Sequence, residues 1–286
     1  MSKRYNYSPL RYPGGKSVLN NWMEELFLQN NLDGGTYAEP YAGGAGVALF
    51  LLLNGLAKKI IINDYDLAIY AIWHSIVNHT DQFITKIEKT EISLEEWKRQ
   101  KTIFSKPTEH SLLDLGFSAF YLNRTNVSGI IKGGPIGGKK QNGKYHIDSR
   151  FNKISLIEKI KLIGLRRNDI QVTNYDAIEF INKVGMHLDE KSLVYFDPPY
   201  YLKGSQLYRN YYKHEDHKFV SENIKKLKTP WLLTYDNCPE IQDLYEDFKG
   251  FDFYLRYSAS LKQKTVGSEL MYYNYLNYIS KPNLVA

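Results

Sequence analysis

An α/β fold with an open, largely parallel sheet and a separate basic insertion is what this sequence predicts, on three observations. The first is Leu193-Val194-Tyr195-Phe196, a short apolar run that stops abruptly at Asp197-Pro198-Pro199-Tyr200. It reads as a buried strand, and in an open α/β sheet ligands bind in the crevice beyond the strand ends. The second is Thr36-Tyr37-Ala38-Glu39, followed by the glycine-rich Pro40–Gly46 and the apolar Val47–Leu53. Strand, glycine-rich turn and helix form the opening unit of a dinucleotide-type fold. The third is charge. Between Lys98 and Asp169 there are 15 Lys and Arg against 5 Asp and Glu, an excess of +10 in a chain of net charge +6, so the remainder carries −4. A basic segment within a mildly acidic frame is the footprint of a polyanion-binding region.

Composition bounds the function classes. With 286 residues, 43% hydrophobic and 24% charged, the chain describes an ordinary globular protein of one domain or a domain plus an insertion. There is no apolar run of transmembrane length, and the start MSKRYNYSPLRYPGGK lacks the apolar core of a signal peptide. Cys238 is the only cysteine, which excludes an intrachain disulfide and a cysteine-cluster metal site. A cytoplasmic protein is expected, without metal or membrane.

Along the chain, Arg11-Tyr12-Pro13-Gly14-Gly15-Lys16 precedes an amphipathic run through Trp22 and Leu26, with Lys16 opening the helix. Gly15-Lys16-Ser17 resembles the tail of a phosphate-binding loop, but the glycine required five positions earlier is Leu10. The turn Gly43–Gly46 does not match the pyrophosphate fingerprint, because Leu49 stands where a small residue belongs. Lys59–Ile62 is a second strand running into Asn63-Asp64, and an acidic residue there is placed to hold ribose hydroxyls. A nicotinamide cofactor and S-adenosylmethionine (AdoMet) both remain open. The weak fingerprint favours AdoMet, which has no phosphate to cradle, and Glu39 suits its positive charge.

Helical periodicity follows over Leu67–Ile76, Phe83–Ile87 and Leu112–Leu122, with Ser93 and Glu96 spaced as a capping box. Asn142-Gly143 signals a type I′ β-hairpin whose arms carry Lys139, Lys140 and Lys144. A helix is predicted over Phe151–Leu165 and a strand over Asp169–Asp176, where Tyr175 and the polar groups beside it could hold an adenine ring. A helix over Glu215–Lys228, a strand at Trp231–Asp236 and a hairpin from Phe251–Tyr257 and Leu270–Leu276 close the fold, with Lys262, Gln263 and Lys264 on a basic loop. His214-Glu215-Asp216-His217 reads as solvated helix surface. In the Asp-Pro-Pro-Tyr loop each proline restricts its predecessor to extended geometry, so the loop is stiff. The carboxylate and the Pro198 carbonyl offer acceptors and Tyr200 a flat face, which suits a planar group bearing an amino edge.

Five blocks in order, Arg-Tyr-Pro-Gly-Gly-Lys at 11–16, Glu-Pro-Tyr-Ala-Gly-Gly-Ala-Gly at 39–46, Asn-Asp at 63–64, Tyr-Leu-Asn-Arg at 121–124 and Asp-Pro-Pro-Tyr at 197–200, resemble the Dam-type DNA adenine-N6 methyltransferases of the D12 class, α-group. The resemblance covers essentially the whole chain. It implies a Rossmann-like, seven-stranded AdoMet-dependent methyltransferase sheet at 1–75 and 165–286. A mostly helical target-recognition domain carrying the β-hairpin would be inserted at 76–164. Site-specific methylation of a flipped-out adenine at N6 in duplex DNA is the implied activity, with Asp197, Pro198 and Tyr200 catalytic. Tyr12, Pro13, Lys16, Glu39, Gly43, Gly44, Gly46, Asp64, Tyr175, Asp176 and Asp197 are placed around AdoMet. Asn123, Arg124, Asn126, Val127, Ser128, Lys132, Lys139, Lys140 and Lys144 are placed on DNA. The expected partners are double-stranded DNA and a cognate restriction endonuclease, for a monomer associated with the nucleoid. GATC-specific members carry an aromatic residue and an Asn in the turn after Leu-Asn-Arg, where this chain has Val127 and Ser128. The recognition sequence therefore stays open, and a wedge filling the flipped base's space is aliphatic here or lies elsewhere. Cytosine N4 in DNA and adenine N6 in RNA are the neighbouring alternatives. A DNA-binding module without catalysis is the alternative of a different class.

Overall fold

A computed structural model of the chain describes residues 6–202, 212–257 and 265–284. The chain divides into two compact units, residues 1–15 with 67–172, and residues 16–66 with 173–286. Among the described residues no helix is long and apolar enough to cross a membrane.

A seven-stranded mixed sheet is built from β1 (Thr36–Glu39), β2 (Lys59–Asn63), β3 (Ile170–Thr173), β4 (Leu193–Phe196), β5 (Trp231–Asp236), β6 (Lys249–Tyr257) and β7 (Thr265–Asn274), in the order β3-β2-β1-β4-β5-β7-β6. β1 pairs in parallel with both β2 and β4, and β4 in parallel with β5; β7 runs antiparallel to β5 and β6. The chain thus winds outward from β1 in one direction and restarts at β4 in the other. The carboxyl ends of β1 and β4 flank that switch point, where an open α/β sheet leaves its ligand crevice. β4 and β5 are buried at every position, which explains why they read as continuous apolar runs and not as alternating ones.

In the second unit, α1 (Asn20–Gln29) follows a 3₁₀ turn at Ser17–Leu19, and α2 (Gly46–Leu53) follows β1. α2 is almost wholly apolar and buries Val47, Ala48, Leu49, Leu51 and Leu52, so it packs as an internal helix. The core includes Phe180, Phe196, Trp231, Leu233, Tyr235 and Tyr245. The predicted β6–β7 hairpin is present; Lys262, Gln263 and Lys264 lie outside the described residues. His217, expected on a solvated surface, is buried instead in α9 (His214–Ile224), where its Nδ1 lies 2.8 Å from the Tyr235 hydroxyl. Burial pushes its imidazole down to about 4, so it is neutral.

The first unit is helical: α3 (Leu67–Asn78), α4 (Thr80–Lys89), α5 (Leu94–Ser105), α6 (Leu112–Thr125) and α7 (Lys153–Leu165). α3 crosses α6 so closely at Gly116 that a Cβ there would sit 2.3 Å from the Ala71 carbonyl oxygen. Phe83 packs edge-on against Phe117 and Phe120, and Phe120 against Phe151. Because α3 is packed on α6 and α7, the compact division falls at residue 67 and not at 76, and it takes residues 1–15 with it. The Ser93 cap is only half of a box. Its Oγ accepts the Glu96 N–H at 3.2 Å, but its own N–H donates to the Tyr121 hydroxyl while Glu96 holds Arg99 and Gln100.

The β-hairpin at Asn142-Gly143 is not formed. Only an isolated bridge, Asn126 to Pro135, occurs in this region, and the left-handed residues after Pro135 are Gly137, Gly138 and Gln141. The glycine-rich arms supply no cross-strand side chains to hold a ladder. The loop is tied instead by Gln141, whose Nε2 donates to the carbonyls of Ile136 and Gly138 while its Oε1 accepts the Ile147 N–H.

Gly129 combines a left-handed backbone with a close approach. Its φ is +78°, and an added Cβ would lie 2.1 Å from the Arg11 carbonyl oxygen. Gly129→Ala is expected to destabilise the protein by about 1–3 kcal/mol, from left-handed strain plus displacement of the residue 11 backbone. Denaturant unfolding measures it; an unchanged midpoint would refute the close approach.

Candidate active site

The second unit gathers a charged network just beyond β4. Lys16 Nζ donates to both oxygens of Asp197, at 2.8 and 2.9 Å, and to the Tyr200 hydroxyl at 2.8 Å. The Tyr200 hydroxyl in turn donates to Glu269 Oε1, and Lys16 lies 3.8 Å from Glu269 Oε2. Thr234 Oγ1 donates to Asp197 Oδ1 at 2.9 Å and lies 2.8 Å from the Tyr195 hydroxyl. Lys16 and Glu269 are buried, whereas the Asp197 side chain keeps 18% of its surface. Asp197 is therefore the acceptor in this network that an incoming group can reach. Buried charges persist where they are paired and hydrogen-bonded, and one ammonium here serves two carboxylates.

The chain positions these groups by topology. Asp236, at the end of β5, accepts the backbone N–H groups of Tyr201 and Leu202, both at 2.8 Å, and so anchors the segment that follows the two prolines. Glu269 lies opposite Asp236 in the β5–β7 register. Lys16 immediately precedes the 3₁₀ turn that leads into α1. Neither Lys16 as the partner of Asp197 nor Glu269 as a site residue was evident from the sequence; the only signal for Glu269 is a carboxylate entering the apolar strand Leu270-Met271. Tyr200 differs from expectation. It is 4% exposed with its hydroxyl tied at both sides, so its ring is part of the wall and not an open platform.

The β1 end carries a second set. Glu39 is buried and accepts the Tyr37 hydroxyl at 2.9 Å; burial pushes its carboxyl up to about 8 against the lowering effect of that bond and of the Ala48 N–H, and the Asp197 charge adds to the rise. The turn after β1 contains left-handed Gly43 and Ala45, and Gly46 starts α2 where a Cβ would meet Ser17 at 3.2 Å. Asp64 accepts the N–H groups of Gly43 and Asp66, both at 2.9 Å, and burial holds its carboxyl up at about 7. Asn63 closes the same end, its Nδ2 donating to Pro40 and Tyr175 carbonyls and its Oδ1 accepting from Tyr175 N–H and Thr173. Asp176 is the N-cap of α8 (Ala177–Lys183), accepting the Glu179 N–H at 2.8 Å, and Lys183 lies over the Tyr175 ring. Tyr12 and Pro13 belong to the first unit; the other expected cofactor residues belong to the second.

Of the residues expected on DNA, Lys132, Lys139, Lys140, Lys144, Val127 and Ser128 are exposed. Asn123 and Asn126 are buried, and their amides are spent inside the fold. Asn123 receives the Arg11 N–H and donates to the Arg11 and Gly129 carbonyls; Asn126 receives Trp97 Nε1 and donates to the Ile130 and Ile131 carbonyls. They build the loop and present no edge to a base. What they hold outward is an aliphatic pair, Val127 at 48% and Ile130 at 52% exposure, around left-handed Ser128.

Residues 12–258 match the family described as D12 class N6 adenine-specific DNA methyltransferase. The Type II methyltransferase M.CviBI of Paramecium bursaria Chlorella virus NC1A is 24% identical over 91% of this chain and 95% of its own length. The Type II methyltransferase M.MjaIII of Methanocaldococcus jannaschii is 24% identical over 67% of this chain and 68% of its own. The modification methylase StsI of Streptococcus sanguinis is 28% identical over 70% of this chain, which corresponds to 30% of that protein.

Proposed function

The chain belongs to the D12 class N6 adenine-specific DNA methyltransferases, and we propose that it transfers a methyl group from AdoMet to N6 of an adenine flipped out of duplex DNA at a specific site. The observation that carries the reading is Asp197: a reachable carboxylate on a proline-stiffened loop at the switch point, paired with a buried lysine. A base inside a duplex cannot reach such a group, so extrusion at a cost of a few kcal/mol is required. Asp197 and the Pro198 carbonyl accept the two N6–H bonds and localise the nitrogen lone pair. Lys16 and Thr234 hold the carboxylate, and Tyr200 and Glu269 hold Lys16, so positioning and electrostatics supply the rate. Tyr200 lines the base pocket. Val127 and Ile130 are the aliphatic candidates for filling the vacated stack.

The residues at the β1 and β2 ends fit AdoMet. Glu39 and the Gly43–Gly46 turn would hold it, and Asp64 would take its ribose hydroxyls. Bound AdoMet supplies a methyl group activated by a positive sulfonium. Near pH 7, below its value of about 8, Glu39 is mainly protonated, and a cation beside it draws that proton off. Binding should therefore release up to about one proton more in the wild type than in Glu39→Gln. Calorimetry in two buffers of different ionisation enthalpy measures this; equal release by the two proteins would remove Glu39 from the site. The same shift has a stability sign. Because the folded value is raised from 4.5, its contribution is complete below about pH 4.5 and lost as pH rises through about 8.

The test of function is incubation with labelled AdoMet and unmethylated DNA, nucleoside analysis and mapping of the modified positions. N6-methyladenine at one short motif is expected, together with brightening of 2-aminopurine placed at the target position. Label in RNA or at cytosine, or none with AdoMet bound, would overturn the reading. The relatives' names support a modification role, protecting that motif from a cognate restriction endonuclease; cleavage of the methylated motif by that nuclease would refute it.

A further inference from the structure

Arg11, Arg124, Arg150 and Lys159 come together in the first unit, and among the described residues no carboxylate forms an ion pair with any of them. Arg11 Nη1 donates to the Asn126 carbonyl at 2.8 Å. Arg124 donates through Nη2 to the Arg150 carbonyl and through Nη1, at 3.4 Å, to that of Pro9, while its buried Nε has no partner among the described residues. Lys159 Nζ donates to the Ser8 carbonyl at 3.1 Å. Every acceptor is a neutral carbonyl. The ion pairs described in this unit use other cations, Lys86 with Asp114, Arg99 with Glu96, Lys106 with Glu109 and Arg166 with Asp169. Burial lowers the affinity of Arg11, Arg124 and Lys159 for their protons, and repulsion lowers it further: Arg150 acts on Arg11, Arg11 and Arg150 act on Arg124, and Arg124 acts on Lys159. Like charges desolvated together cost stability until an anion joins them.

We propose that Arg11, Arg124, Arg150 and Lys159 seat one backbone phosphate of the duplex, next to the Asn126–Ile131 loop. The proposal rests on the DNA reading above and adds Arg11, Arg150 and Lys159 to the residues that would touch the substrate. Guanidinium forks match the oxygens of a phosphate better than any other common anion except a carboxylate. The setting selects the phosphate: three of the four cations lie in the +10 segment, in the same unit as exposed Lys132, Lys139, Lys140 and Lys144. The clamp also sets register. Arg11 is bonded to the carbonyl of Asn126, the residue before Val127, so a phosphate held there fixes the duplex relative to the exposed aliphatic pair.

The test is the salt dependence of duplex affinity for the full chain and for Arg150→Gln, Lys159→Gln and the double variant. Lys161→Gln, two residues further along α7 and so on another face of the helix, is the control. Log Kd against log [KCl] should lose about 0.9 in slope in each single variant, no more in the double variant, and nothing in the control. Full slope in both single variants, with methyl transfer intact in the wild type, overturns the site alone; a double variant losing twice the slope overturns a single phosphate seat. Absent methyl transfer with the predicted slope changes sinks the functional reading and leaves the site standing. Thermal shifts in inorganic phosphate against chloride at equal ionic strength separate the sources. A phosphate-specific shift lost in both variants, without any change in DNA slope, would assign the cluster to free phosphate and overturn the duplex assignment.

Discussion

Asp197→Ala should reduce methyl transfer by at least about 10²–10³-fold, the loss expected when one preorganised group aimed at the reacting atom is removed. The fold should survive. Lys16, the buried cation left behind, still has Glu269 at 3.8 Å and the Tyr200 hydroxyl at 2.8 Å, so no charge is orphaned. AdoMet binding should persist as well, because the β1 and β2 ends that would hold it are untouched. Asp197→Asn keeps the shape and one acceptor oxygen and should fall between the two. The decisive comparison is single-turnover transfer to an unmethylated duplex alongside thermal unfolding. Near-normal turnover in the alanine variant, with a folded protein, would end the catalytic assignment of Asp197.

Lys16→Ala should do the reverse to stability. It leaves Glu269, fully buried, and Asp197 without their shared cation, and removing one partner of a buried pair costs about 3–5 kcal/mol. Part of that cost should return when Glu269→Gln is added, since the amide no longer needs a counter-charge. Transfer should fall too, because Asp197 loses the group that orients both of its oxygens. Chemical denaturation of the two single variants and the double variant gives the coupling directly. Additive effects would mean that Lys16 and Glu269 do not share a charge network. A loss below about 1 kcal/mol for Lys16→Ala would mean that water, not the lysine, balances the carboxylates.

The two variants separate what could and could not be read in advance. Asp197 was legible because its setting is local. An apolar run, two prolines and an aromatic ring define a strand end and a stiff loop whatever the rest of the chain does. The same holds for β1, its glycine turn and α2, and for most of the helices, whose caps and periodicity lie within a dozen residues. Lys16 was legible as the start of a helix and, through the family resemblance, as a residue beside AdoMet. Its partnership with Asp197, 181 positions away, depends on the sheet order.

The tertiary structure also reversed readings that rested on residue type. Asn123 and Asn126 look like base-reading amides, yet both are consumed by polar groups of a buried loop and, for Asn126, by the Trp97 indole. Asn142-Gly143 carries a hairpin signal that the glycine-rich arms cannot support. His217 looks like surface and is core. The sequence by itself determined the elements, the basic segment and the reactive loop, because spacing, turn chemistry and charge act over short range. Only the tertiary structure decided which polar side chains serve the fold, which stay available, and which cations are left together without an anion. Those outcomes depend on burial and on partners that are distant in the chain, and spacing along the chain does not encode either.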